Sequence, residues 1–319
     1  MSELRWNPLL RQWVGVAAAR QDRPQMPKDW CPFDPGSGKV PDDYQVHLYA
    51  NDYAAFSQSA DPFDAAASEE LFGRTGARGS CDVVLYSPDH NRLPSQLSVE
   101  NWRLVVDLWT RRAVELAADP AIQYVFAFEN AGAAIGVTMP HPHGQIYAMP
   151  YIPPLLEREL AAASAYHFER NSCLYCALLA GELSAGERIV EENANFVAFV
   201  PFAARFPSEV QIYSRRHVAA LSELADAEKD DLARLIRSVR RGYDALYGFP
   251  MPLMMFVRQA PVKGEHPYFH LHLEFCPIQR SATKLKYLAG VETGCGTFLN
   301  DTLAESQAAA LREAISSCA

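Results

Sequence analysis

Five short signals appear in the same order in both halves of this 319-residue chain, and that repetition restricts the fold more than any other feature. The first half reads Cys31-Pro32-Phe33-Asp34, Asn51-Asp52-Tyr53-Ala54-Ala55-Phe56, Tyr86-Ser87-Pro88-Asp89-His90, Glu129-Asn130-Ala131-Gly132 and His141-Pro142-His143-Gly144-Gln145. The second reads Cys173-Leu174-Tyr175-Cys176, Asn195-Phe196-Val197-Ala198-Phe199, Tyr213-Ser214-Arg215-Arg216-His217, Arg258-Gln259-Ala260-Pro261 and His270-Leu271-His272-Leu273-Glu274. Such a register implies two tandem copies of one α+β unit, expected over residues 1–160 and 161–319. The length agrees, since an average domain takes ~100 to 200 residues.

Each copy carries one helix framed by strands. In the first, Ser98 is a candidate N-cap, and Trp102, Val105, Trp109, Ala113 and Leu116 recur at helical spacing until Asp119-Pro120. In the second, Leu232, Leu235, Ile236, Val239, Tyr243 and Leu246 do the same and stop at Gly248. Both stripes read as core. Strands are expected at Asp82 to Tyr86, Gln123 to Phe128, Phe196 to Val200, Glu209 to Tyr213, Leu253 to Val257 and Phe269 to Phe275, several of them rich in β-branched or aromatic residues.

A net charge of -9 and a pI near 5.5 argue against nucleic acid or an anionic membrane as partner, because no basic face is evident in the sequence. An anionic substrate would need a local cluster of donors. The start, Met1-Ser2-Glu3-Leu4-Arg5-Trp6, lacks the apolar core of a signal peptide, and no run of 18 apolar residues occurs, so a soluble cytoplasmic protein is expected. Seven cysteines, an odd number, fit a reducing compartment with some thiolates on metal better than a disulfide scaffold.

In an extended segment side chains alternate, so His141, His143 and Gln145 share a face while Pro142 and Gly144 point away. Two imidazoles and a carboxamide converging on one face are poorly explained as packing. Cys173 and Cys176 have the gap of a zinc knuckle, and the repeat places His217 and His270 as the remaining ligands of a closed structural site. The corresponding first-copy set is Cys31, Asp34, His90 and His141, in which a carboxylate stands for the second thiolate; metal occupancy there is left open, giving one or two structural zinc ions per chain.

The hexapeptide His141-Pro142-His143-Gly144-Gln145-Ile146, with its lead-in Glu129-Asn130-Ala131-Gly132, resembles the active-site signature of the galactose-1-phosphate uridylyltransferase family, the transferase branch of the histidine-triad superfamily. The resemblance implies one antiparallel half-barrel sheet flanked by helices. It also implies nucleophilic catalysis by His143, with Gln145 in place of the triad's last histidine. UDP-glucose and a hexose 1-phosphate are the implied substrates, and a homodimer the implied assembly. Arg20 and Arg23 would reach phosphates, within the subunit or across a dimer interface; Asn51 and Asp52 would bond base and ribose; Val83 would wall the same pocket. Asn130 and Thr138 match phosphate contacts, and Lys286 and Glu292 match contacts to the sugar phosphate. Asp34 stands where the family commonly has a second cysteine. Some relatives build a different second metal site from a glutamate and three histidines; Glu159 and His272 match two of these, but Arg258 and Glu274 occupy the other places. The run Thr293-Gly294-Cys295-Gly296-Thr297-Phe298 is closer to the glycine-rich ending of sugar-nucleotide phosphorylases. A phosphorylase using inorganic phosphate is thus the rival reading, and a non-catalytic nucleotide-binding protein a third.

Overall fold

A computed structural model describes residues 2–22 and 30–318; Arg23 lies outside the described residues. The chain runs β1 (Glu3–Asn7), β2 (Gln12–Val16), β3 (His47–Ala50), β4 (Arg74–Gly76), β5 (Ser80–Leu85), α1 (Val99–Ala117), β6 (Tyr124–Ala131) and β7 (His143–Met149). It continues through α2 (Pro154–Arg170), α3 (Leu174–Ala185), β8 (Ile189–Glu192), β9 (Phe196–Phe199), β10 (Val210–Ser214), α4 (Asp226–Tyr247), β11 (Leu253–Arg258) and β12 (His272–Pro277). A short hairpin of β13 (Gln279–Ser281) and β14 (Lys284–Leu285), then α5 (Gly290–Cys295) and α6 (Ala304–Ser316), complete it.

Nine strands form one open antiparallel sheet in the order β3-β5-β7-β6-β11-β12-β10-β9-β8. The central partners are β6 and β11, with Phe128 opposite Phe256. Counting outward from that pair, β7, β5 and β3 correspond to β12, β10 and β9, so the order is the same on both sides. This is the helix-flanked antiparallel sheet that the resemblance implied, open rather than closed and shared by the two α+β halves. A separate three-stranded sheet, β2-β1-β4, sits at the N-terminal side.

The two helices expected from periodicity form as expected. Ser98 Oγ accepts from Asn101 N at 3.1 Å and caps α1, whose Trp102, Val105 and Trp109 are buried. Glu228 accepts from Ala225 N at 2.7 Å at the start of α4, and Gly248, with φ of 75°, ends it. Both pack on one sheet face in a core with Ile146, Ile212 and Leu273. Arg103 of α1 bonds Asp226 (2.8 Å) and Asp230 (2.6 Å) of α4. The opposite face is covered by α2 and α3, through Leu156, Leu160, Tyr175 and Leu179.

Two strand ends differ from expectation. The strand expected from Phe269 begins at His272, because Leu271 N instead donates to Val218 O at 2.7 Å and His270 leaves the ladder. Likewise β7 begins at His143: Pro142 has no N–H to give, and its carbonyl accepts from Tyr86 N at 3.0 Å. Among the described residues no helix is long and apolar enough to cross a membrane.

Candidate active site and metal centres

Strand β7 alternates as read from the sequence. His143, Gln145 and Tyr147 are half-buried on one face, while Gly144, Ile146 and Ala148 are buried on the other. The His143 ring is held by the segment that leads into its strand: Nδ1 lies 2.7 Å from the His141 carbonyl oxygen, an acceptor only, so Nδ1 carries the proton and Nε2 the lone pair. Tyr147 donates to Gln145 Oε1 at 3.2 Å and accepts from Arg20 Nη1 at 3.3 Å, and the same Arg20 nitrogen donates to Tyr53 O at 3.2 Å. An arginine is thereby linked to the amide beside the nucleophile.

A narrow cavity of about 70 Å³ is lined by His143, Gln145, Asn51, Asp52, Val83 and Thr138, all expected from sequence, together with Phe33, Tyr49, Tyr53 and Met139. Val83 reaches it because it pairs directly with Gln145 across β5 and β7. Tyr49 donates to Asp52 Oδ2 at 2.7 Å, and Asn51 Oδ1 accepts from Tyr53 N at 2.9 Å, which fixes the polar end. A second cavity of about 390 Å³ shares His143 and includes Asn130, His90, His141 and Arg240. Lys286 and Glu292 line neither cavity; they pair with each other, and Glu292 is held down to about 2 chiefly by that hydrogen bond.

Gly144 allows β7 to lie close over Tyr86. A Cβ there would sit 2.1 Å from the Tyr86 hydroxyl oxygen and 3.0 Å from Phe128 O. Overpacking typically costs about 1–3 kcal/mol, and contacts this short place Gly144→Ala at the upper end. Chemical denaturation should show that loss; an unchanged midpoint would mean Tyr86 can move aside without cost.

Two clusters converge as the repeat required. In each of the sets Cys31, Asp34, His90, His141 and Cys173, Cys176, His217, His270, one ligand atom per residue lies within 4.8 Å of the others. His141 Nε2 faces Ser87 O at 2.7 Å and so bears the proton, turning Nδ1 toward Asp34 Oδ1 at 3.1 Å. His90 Nδ1 is 3.0 Å from the same oxygen. His270 repeats the pattern, with Nε2 2.8 Å from Ser214 O and Nδ1 3.4 Å from Cys176 Sγ, and His217 Nδ1 is also 3.4 Å from that sulfur. A backbone acceptor behind one nitrogen orients the other toward a metal. Burial holds His270 down to about 4, and it lowers His141 too, which keeps both rings in the neutral, ligating form. By donor type both sets suit a zinc ion, which takes thiolate, imidazole and carboxylate ligands.

The second half also carries a geometric twin of the nucleophile. His272 Nδ1 bonds His270 O at 2.8 Å, but the ring is 2% exposed and packs on Tyr213 and Tyr175, with centroids at 4.9 and 5.2 Å. Glu274, in the place of Gln145, accepts from Arg258 at 3.1 Å and from Arg205 at 3.2 Å; burial pushes its carboxyl up, but Arg258 first, then His272 and Arg205, hold it well below the usual carboxylate range. Arg258 also reaches Glu159 at 4.0 Å, so a guanidinium stands among these carboxylates.

The family model for the galactose-1-phosphate uridyl transferase N-terminal domain matches residues 1–153, and that for the C-terminal domain matches residues 159–318. The chain belongs to the galactose-1-phosphate uridyl transferase family. A family member from Thermotoga maritima, galactose-1-phosphate uridylyltransferase, is 39% identical over 98% of each chain. One of the same name from Haemophilus influenzae is 33% identical, covering 97% of this chain and 93% of the relative. A solved uridylyltransferase superposes with a TM-score of 0.90 at 33% identity over 99% of each chain. An ADP-glucose phosphorylase from Arabidopsis thaliana, solved with ADP-glucose, gives 0.77 at 26% identity over 98% of each.

For this uridyl transferase family member, sequence reasoning missed Tyr44, Tyr147 and Arg240. Tyr147 had a usable signal, lying two residues beyond Gln145 on the same strand face. Tyr44 donates to Phe33 O at 2.8 Å and its oxygen is 3.0 Å from His141 Nε2, but no spacing tied it to a histidine 97 positions away.

Proposed function

We propose that this chain is a UDP-glucose:hexose-1-phosphate uridylyltransferase working by double displacement through His143. The observation that carries the reading is the fixed tautomer: with Nδ1 donating to the His141 carbonyl, Nε2 is the nitrogen able to attack phosphorus. In the first half-reaction an Nε2–P bond forms, and the bond from the α-phosphorus to the sugar 1-phosphate breaks. In the second, a phosphate oxygen of the incoming hexose 1-phosphate attacks the same phosphorus and the P–N bond breaks. The acceptor is already an anion, so no general base is required. Gln145 offers an amide rather than an acid, which stabilises phosphoryl oxygens without protonating a leaving group and disfavours hydrolysis.

Asn51, Asp52 and Val83 hold the nucleoside in the narrow cavity, Thr138 and Asn130 meet the phosphates, and Arg20 and Arg23 add charge. The catalytic unit is residues 1–160; the second unit, 161–319, supports it. Zinc ions held by Cys173, Cys176, His217 and His270, and by Cys31, Asp34, His90 and His141, would lock the neighbouring strands in place; the second set includes the residue two before the nucleophile. Lys286 and Glu292 would contact the sugar phosphate and the sugar hydroxyls, and the enzyme would work as a homodimer in the cytoplasm.

The run Thr293 to Phe298 and the likeness to the ADP-glucose phosphorylase favour a second reading in which inorganic phosphate is the acceptor. Purified protein given UDP-glucose or ADP-glucose, each with galactose 1-phosphate or inorganic phosphate, separates them. The proposal expects turnover with UDP-glucose and galactose 1-phosphate; turnover with ADP-glucose and phosphate alone would establish the rival.

A further inference from the structure

Behind the catalytic strand lies an ion pair that the transfer scheme does not use. Phe128 pairs with Gln145, so alternation puts Asn130 on the His143 face and turns Glu129 to the helix-covered face. There Arg240 of α4 meets it, Nη2 to Oε1 at 3.1 Å, with the side chains 5% and 1% exposed. Among the described residues, Arg240 Nη1 has no hydrogen-bond partner. An incompletely satisfied buried ion pair is a poor source of stability, since apolar residues of similar volume commonly do as well or better.

Its neighbours suggest a different role. Glu129 also lies next to the Tyr86 hydroxyl, within electrostatic reach, although among the described residues neither that oxygen nor Glu129 Oε2 has a hydrogen-bond partner. That hydroxyl fills the space a Gly144 side chain would need, and Tyr86 N bonds the Pro142 carbonyl at 3.0 Å. Arg240, Glu129 and Tyr86 therefore form a polar column ending against the backbone of residues 142–144, which carries His143. Arg240 and Glu129 also line the larger cavity beside His143 and Asn130. Arg240 alone of these belongs to the second half of the chain.

We infer that Arg240 is a positioning residue: through Glu129 and Tyr86 it sets the pitch of β7 at Gly144, and with it the line of attack of His143 Nε2. This rests on the nucleophile reading above. Asn51, Asp52 and Val83, which would hold the nucleoside, line the narrow cavity, and neither Arg240 nor Glu129 lines it; displacing the column is therefore expected to lower the rate and to leave affinity, anchored at the nucleoside end, unchanged.

The double variant Glu129→Met with Arg240→Met removes both charges at similar volume. It is expected to stay folded, to bind UDP-glucose with an unchanged dissociation constant, and to form the His143 adduct in a single turnover about 10- to 100-fold more slowly, the loss that a misplaced nucleophile brings. Adduct formation at the wild-type rate would overturn the inference, and so would an equal loss of UDP-glucose affinity, which would make Arg240 a substrate contact. Should the double variant not fold, Arg240→Lys, which keeps the charge but not the planar fork, must show the same split between rate and affinity. Wild-type protein is measured alongside: if it forms no adduct, the nucleophile reading fails, whatever the variants do.

Discussion

A His143→Gly variant given UDP-glucose is expected to carry no attached nucleotide and to lose sugar-phosphate exchange by on the order of 10⁴-fold or more, as enzymes stripped of a nucleophile do. The fold should survive, because His143 is half-buried on the cavity face and its ring nitrogen bonds only locally, to the carbonyl two residues before it. His272 cannot substitute. It presents the same tautomer, but it is sealed by Tyr213 and Tyr175 and flanked by Glu274, whose negative charge would repel a phosphate. UDP-glucose radiolabelled in the uridylyl phosphate reads the outcome directly, and labelling retained in the variant would remove His143 from the mechanism.

The second large effect concerns metal. Cys173→Ser with Cys176→Ser should remove one equivalent of bound zinc and lower unfolding free energy by more than about 4 kcal/mol, the range reserved for losses of metal or comparable staples. Cys173 caps α3 and Cys176 lies in its first turn, whereas His217 follows β10 and His270 precedes β12. An ion bound by all four joins a helix and two strand ends that are otherwise far apart in sequence. Elemental analysis with thermal unfolding checks this; a metal-free wild-type protein of equal stability would refute the second-half centre.

Much of the fold was legible because the two halves repeat, and the repeat by itself aligned both metal sets and the nucleophile strand. The helices α1 and α4 were legible because a capping serine in one and a terminal glycine in the other framed a sharp apolar stripe. The helices α2 and α3 were not. In α2 only Leu156, Leu160 and Ala163 are buried, and Leu174–Ala185 is apolar on most sides, so neither presents a clear period. Within the site, Asn51, Asp52, Val83 and Thr138 gathered at His143 as the family signature implied, whereas Lys286 and Glu292 turned to each other. What stayed hidden were pairings set by tertiary contact alone: Arg20 with Tyr147 across 127 positions, and Arg240 with Glu129 between the two halves.

The central claim is that phosphorus is displaced twice, with the nucleotidyl group resting on His143 in between. The stereochemical course at a chiral α-phosphorus tests it most directly. Two in-line displacements predict overall retention of configuration in the product sugar nucleotide; inversion would show a single direct transfer and contradict the account.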